Sequence, residues 1–355
     1  MSARLEKLRD ELAPRDLDAF LITDNSNVRY LSGFTGSYAV VLATSDTAFL
    51  LTDFRYAEQA AEECPDLSLE LVENCWVPAA CGLIERLDLR RIGFEGDWLN
   101  YHDWNELQSG LPSREMISAD DPVGRLRMVK DESELAAVRE AVRITDFAFE
   151  HICGVLQPGV TERDVALEID YFMRKNEADR EAFDSIVASG PRSALPHGKP
   201  TKRRISEGEL IVLDFGARWQ GYHADITRTV LMGEPDSRQE EIYNVVLAAQ
   251  SEAISAIRPG IEGRDVDAVA RDFIADKALG EYFGHNLGHG LGLAVHDARI
   301  LARQSDIVLE SGMVVTVEPG IYIPGWGGIR IEDDVLVTDS GVEVLTRSPR
   351  VLSLG

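Results

Sequence analysis

GELIVLDFG at residues 208–216 and GMVVTVEPG at residues 312–320 share one frame: a glycine, five residues, a carboxylate, one residue and a closing glycine. The carboxylates are Asp214 and Glu318. Each ends an apolar run, Leu210 to Leu213 or Val314 to Val317, of the kind that lies inside a sheet. An ionised carboxylate in that position is costly unless a cation or hydrogen bonds compensate it. Two such positions point to one shared cation centre.

The repetition reaches beyond the strands. Pro158-Gly159-Val160 followed by Arg163-Asp164-Val165 returns as Pro259-Gly260-Ile261 followed by Arg264-Asp265-Val266, each time between helix-like stretches. The spacing exceeds that of the common solenoid repeats and only two copies are visible, so a duplicated half-domain is the better reading. Pseudo-twofold halves would bring Asp214 and Glu318 to a common centre.

At 355 residues the chain has room for two domains, and 45% hydrophobic with 27% charged residues is an ordinary globular composition. A formal net charge of -25 argues against nucleic acid or an anionic membrane as partner, since both require a cationic face. Leu5, Leu8 and Leu12 stand at helical spacing among charges, so residues 1–12 read as an amphipathic helix rather than a signal peptide. No apolar run has the length of a membrane span. Cys64, Cys75, Cys81 and Cys153 form no CxxC pair, which predicts reduced thiols in a cytoplasmic protein.

Short β-like runs at residues 19–23, 38–44, 47–53, 67–73 and 91–95, with a helical stretch over 54–64, predict a small α/β domain with a mixed sheet. Ala119-Asp120-Asp121-Pro122 breaks the pattern, and Asp131 is placed to cap the charged helix that follows. The expected domains are residues 1–125 and 126–355, the second an α+β domain with pseudo-twofold duplicated halves.

Each half adds a second carboxylate. Asp225 follows Asp214 across a turn at residues 219–222, and Glu332 follows Glu318 across a Pro/Gly-rich turn. With His289, in a glycine-dense stretch where backbone is expected to approach something closely, these make five hard or borderline ligands. That is enough for two divalent ions with bridging carboxylates and an open position for water. Singly, each residue reads as a cap or a surface group. Matched strand-end positions with downstream partners are hard to explain as surface decoration.

LDFG, GYHADITRT, GHGLGLAVHD, TVEPG and GIRIEDD, in this order, resemble the metallopeptidases of the pita-bread fold, and of these the Xaa-Pro aminopeptidases and prolidases over nearly the whole chain. The resemblance implies that Asp214 binds one metal, that Asp225 and Glu332 bridge both, and that His289 with Glu318 completes the second site. It also implies attack by a water or hydroxide bridging the ions, with Glu318 as proton shuttle. His197 and His296 are similar to the accessory histidines that face the substrate, and Arg330 to an arginine supporting a metal-site carboxylate. His223 and His285 match no role. The metals implied are two divalent ions, Mn2+ in first place with Co2+ or Zn2+ as alternatives. The partners implied are a proline-containing peptide and a second copy in a homodimer.

The expected activity is that of an Xaa-Pro aminopeptidase. The alternative is an Xaa-Pro dipeptidase, which must bind a free carboxylate through a cation such as Arg299 or Arg303. A non-catalytic binding protein on the same fold is more remote, since no ligand position is lost. Where relatives often have a small residue and proline after His-Asp or His-Glu, this chain has Asp297-Ala298-Arg299, so the resemblance does not fix the peptide length. The loop Phe34-Thr35-Gly36-Ser37 reads either as a plain turn or as a segment reaching a neighbouring subunit.

Overall fold

In the computed structural model, which describes residues 3–354, the chain divides into two compact units, residues 1–127 and 128–355. The first begins with α1 (Ala3–Leu12), whose Leu5, Leu8 and Leu12 are buried, as their spacing predicts. Met1 and Ser2 lie outside the described residues. Then follow β1 (Ala19–Ile22), α2 (Asn25–Ser32), β2 (Val40–Thr44), β3 (Ala48–Asp53), α3 (Ala57–Glu63), β4 (Ser68–Val72), α4 (Trp76–Arg86), β5 (Arg91–Glu95), α5 (Tyr101–Gly110), β6 (Glu115–Ala119) and α6 (Pro122–Met128). The sheet order is β4-β3-β2-β1-β5-β6, with β1 antiparallel to β2 and parallel to β5, so the sheet is mixed. Leu21, Leu42, Leu51, Trp76, Val77, Ile84 and Leu107 form its core. Sequence patterning missed α2, α4, α5, α6 and β6. The first of these is set by one local contact, Asp24 accepting from Asn27 N at 2.9 Å. The loop after α2 is tied within its own unit, since Thr35 N donates to Glu63 at 2.7 Å and Ser37 bonds the Tyr56 hydroxyl at 2.7 Å.

The second unit opens on α7 (Glu132–Val155), with a full capping box between Asp131 and Glu134. It continues through α8 (Glu162–Lys175), β7 (Arg180–Glu181), β8 (Ile186–Ser189), β9 (Leu210–Phe215), β10 (Ala217–Trp219), β11 (Tyr222–His223) and β12 (Ile226–Leu231). The second half supplies α9 (Ser237–Ala256), α10 (Gly263–Asp276), β13 (Gly288–Gly290), β14 (Ala298–Leu301), β15 (Val314–Val317), β16 (Gly320–Ile323), β17 (Gly327–Arg330), β18 (Asp333–Thr338) and β19 (Gly341–Val344). The antiparallel order β8-β9-β12 of the first half returns as β13-β15-β18 in the second.

The duplication holds bond by bond. Gly159 N donates to Ile205 O and Gly260 N to Leu309 O, both at 2.8 Å. Both glycines have positive φ, 95° and 85°, which a side chain would strain, so each Pro-Gly turn needs its glycine. Each half has its own core: Ile144, Phe149, Val165, Ile169 and Leu213 in one, Val246, Val266, Ile274, Val315 and Val335 in the other. Each fully buried aliphatic side chain contributes about 1.5–3 kcal/mol, enough to hold β9 and β15 stiffly under the polar groups at their ends.

Candidate active site

Asp214 lies near the end of β9, the central strand of its sheet, opposite Ile186 on one side and Thr227 on the other. Gln220 and Gly221, with φ of 46° and 82°, turn the β10–β11 hairpin, and the returning chain carries Asp225 back beside Asp214. In the second half Glu318 follows β15, and the hairpin of β16 and β17 returns the chain to Glu332. His289 sits on β13. Its strand is let in by Gly288, whose missing Cβ would collide with the Thr316 carbonyl, which is the close approach expected of the glycine cluster.

All five side chains line one cavity of about 560 Å³, together with His197, His285, His296, Arg299 and Arg330. Ligand atoms of Asp225, His289 and Glu332 fall within 4.8 Å of one another. His289 Nε2 is 3.6 Å from both Asp225 Oδ2 and Glu318 Oε1. Because its Nδ1 lies 3.1 Å from the Gly290 carbonyl, which only accepts, Nδ1 carries the proton and the Nε2 lone pair faces the carboxylates.

Burial, then the charges of Glu332 and Asp214, push the Asp225 carboxyl well above the usual carboxylate range. Burial and Glu332 do the same to Glu318, and burial with Asp214 raises Glu332 to about 8. Asp214 is raised by burial despite its ion pair with Arg330. Burial, then His296, holds His289 down at about 4, so the ring is neutral near pH 7. Asp214 Oδ1 and Asp225 Oδ1 are buried with no hydrogen-bond partner among the described residues. Orphaned oxygens, crowded carboxylates and a neutral imidazole with an inward lone pair form a donor set that fits divalent cations.

Around this set runs a frame of hydrogen bonds. Arg330 pairs with Asp214 Oδ2, donates from Nε to Thr227 Oγ1 at 2.9 Å and from a terminal nitrogen to the Tyr322 hydroxyl at 2.7 Å. Thr227 Oγ1 in turn donates to Glu332 at 2.6 Å. The Tyr322 hydroxyl also meets His285 Nε2 at 3.0 Å, while His285 Nδ1 bonds the Asn286 carbonyl at 2.8 Å. Arg228, 1% exposed, donates to the Thr227 and Glu332 carbonyls and pairs with Asp333 at 2.6 Å. His223 is held by the Gly292 carbonyl, and Arg303 donates to the Phe283 carbonyl outside the cavity wall. Sequence reading singled out neither Tyr322 nor Thr227 nor Arg228. Only cross-strand register brings them to the site: Tyr322 opposite Gly328, and Thr227 opposite Asp214.

The family models bear directly on this geometry. Residues 136–339 match metallopeptidase family M24, and residues 4–129 match the creatinase/prolidase N-terminal domain. The chain is 43% identical to an uncharacterised peptidase of Bacillus subtilis (strain 168), over 98% of this chain and 99% of the relative. Among solved structures it resembles an Xaa-Pro dipeptidase from Bacillus anthracis, with TM-score 0.95, 44% identity and coverage of 99% and 98% of the two chains. An X-Pro aminopeptidase from Thermotoga maritima MSB8 is similar at TM-score 0.88, 41% identity and coverage of 95% and 97%. This chain belongs to metallopeptidase family M24 and carries that family's creatinase/prolidase N-terminal domain.

Proposed function

We propose that this protein hydrolyses the bond between an N-terminal residue and proline, and that it prefers Xaa-Pro dipeptides. The observation that carries the preference is Arg299. It stands on β14 in the wall of the cavity that holds the carboxylates and histidines, and its guanidinium would pair there with the free carboxylate of a short substrate. Arg303 offers no such contact, since it donates to the Phe283 carbonyl. A cavity of about 560 Å³ has the scale of a small-ligand pocket. The preference departs from the aminopeptidase expected on sequence motifs. The similarity to a dipeptidase and to an aminopeptidase alike leaves that choice to the pocket.

In this reading Asp214, Asp225, His289, Glu318 and Glu332 would hold two divalent ions, Mn2+ first among the candidates. When bound, such ions lower the pKa of a water and polarise the scissile carbonyl. Glu318 takes the proton of the attacking water and delivers it to the departing prolyl nitrogen. His197 and His296, both in the cavity wall, donate to the oxygen that gains charge as the carbonyl turns tetrahedral. Arg330 and Thr227 keep one oxygen of Asp214 and of Glu332 occupied, so each carboxylate presents the other oxygen in a fixed direction.

The test compares an Xaa-Pro dipeptide, its C-terminal amide and a longer Xaa-Pro peptide, with native protein and Arg299→Met. The dipeptide is expected to be the best substrate, with amidation and Arg299→Met each raising KM about tenfold or more. Faster cleavage of the longer peptide, unaffected by Arg299→Met, would select the aminopeptidase.

A further inference from the structure

Lys130 lies outside the catalytic cavity, and none of the chemistry above uses it. Its side chain is only 1% exposed and that of its partner Asp297 only 2%, with Nζ 3.4 Å from Oδ2. Burying such a pair gives little net stability over apolar residues of the same volume, and in some proteins such pairs instead specify a geometry.

Both partners are anchored through their backbones. Lys130 N donates at 2.9 Å to the carbonyl of Gly312, the glycine that leads into β15 and Glu318. Asp297 N donates at 2.9 Å to the Gly290 carbonyl, one residue beyond His289. Between Gly290 and Asp297 the chain makes a short loop. Its Gly292 carbonyl accepts from both His223 N and His223 Nδ1 at 2.9 Å. A Cβ on Gly292 would stand 2.6 Å from Asp297 Oδ2 and 3.1 Å from Lys130 Cε, so the glycine makes room for the pair. The far side of the loop carries Val295 and His296 on the cavity wall, with the His296 ring 4.3 Å from that of His289.

We infer that the Lys130–Asp297 ion pair fixes the loop of residues 291–297 so that His296 faces the substrate, which makes Lys130 a positioning residue for hydrolysis. The inference rests on the proposed role of His296. It is tested in the metal-loaded full chain with Lys130→Met and, as an independent break of the same pair, Asp297→Asn. Amide hydrogen exchange in residues 293–297 should be about tenfold faster in both variants, with unchanged protection in β9 and β15 and unchanged metal content. For an Xaa-Pro dipeptide kcat/KM should fall about 10–100-fold, and Lys130→Arg should recover most of the loss. In a His296→Ala background Lys130→Met should cost less than about twofold more, because the two act as one unit.

Native exchange in the loop of both variants, or an equal loss in the native and His296→Ala backgrounds, would overturn the inference. Should Lys130→Met fail to fold, Asp297→Asn carries the same readouts. A native rate in His296→Ala alone is a separate failure. It would remove the role of His296 without any change at Lys130.

Discussion

The two halves of the second unit share a frame and differ in how each handles its strand-end carboxylate. In the first half Asp214 is buried against Arg330, a fixed cation delivered by the other half. In the second half Glu318 has no arginine ion-pair partner among the described residues; it faces His289, which burial keeps neutral. The first carboxylate is thus oriented by a permanent positive charge, and in the proposed function the second would take a charge that comes from solution. Duplication supplies two equivalent positions, and divergence around them gives one a structural partner and leaves the other available for chemistry.

The largest effect that would break this picture comes from Asp225, the carboxylate between the halves. Asp225→Asn removes a negative charge facing both His289 and Glu318, and metal content with turnover should fall by more than about 100-fold, beyond the cost of losing a supporting residue. Metal analysis beside dipeptide kinetics checks it; native rates with modest added Mn2+ would contradict the shared role.

The closing glycines of the two repeats also differ in their surroundings. A Cβ on Gly216 would collide with the Ala224 carbonyl, immediately before Asp225, whereas a Cβ on Gly320 would meet the Tyr322 hydroxyl at the free end of its ring. Gly216→Ala must therefore shift backbone at the site and should cost about 100-fold in metal affinity. Gly320→Ala should displace the hydroxyl from Arg330 and cost about tenfold. Titration of both variants with Mn2+ decides the order, and equal losses would mean that the halves respond alike.

A smaller effect concerns pH. Glu332 titrates near 8 in the folded cluster and near 4.3 in a free chain, so between those values the metal-stripped folded protein holds more protons than the unfolded chain. Its stability should accordingly fall as pH rises through that window, by about 1.4 kcal/mol for each unit of difference between the two values. Metal favours the deprotonated cluster and should flatten or reverse the slope. Thermal melts at pH 5.5 and 8, with and without chelator, test this; a stripped protein more stable at pH 8 would contradict it.

Much of the site was legible because it violates a rule. Asp214 and Glu318 stand out as carboxylates closing apolar strands, and the matched Pro-Gly turns made the duplication visible before any strand was paired. Residues that obey local rules stayed hidden. Tyr322 looks like an ordinary strand aromatic and Thr227 like an ordinary strand threonine until register sets them beside Arg330 and Glu332. Lys130 and Asp297 are 167 positions apart, and only burial distinguishes them from surface charges. In the first unit the five anticipated strands formed, while α5 and β6, with one buried residue each, carry weak periodicity; α4 went unread although Trp76, Val77, Ala80, Leu83 and Ile84 stand at helical spacing.

The proposed function requires that five side chains from the duplicated halves hold a cation pair on which hydrolysis depends. Its most direct test is to strip the purified protein with chelator, add back Mn2+ in steps, and follow bound metal and Xaa-Pro dipeptide cleavage in the same samples. Two ions bound per chain, with activity absent at the start and restored as the ions bind, is the result expected. Full activity in a preparation holding no divalent ion would contradict it.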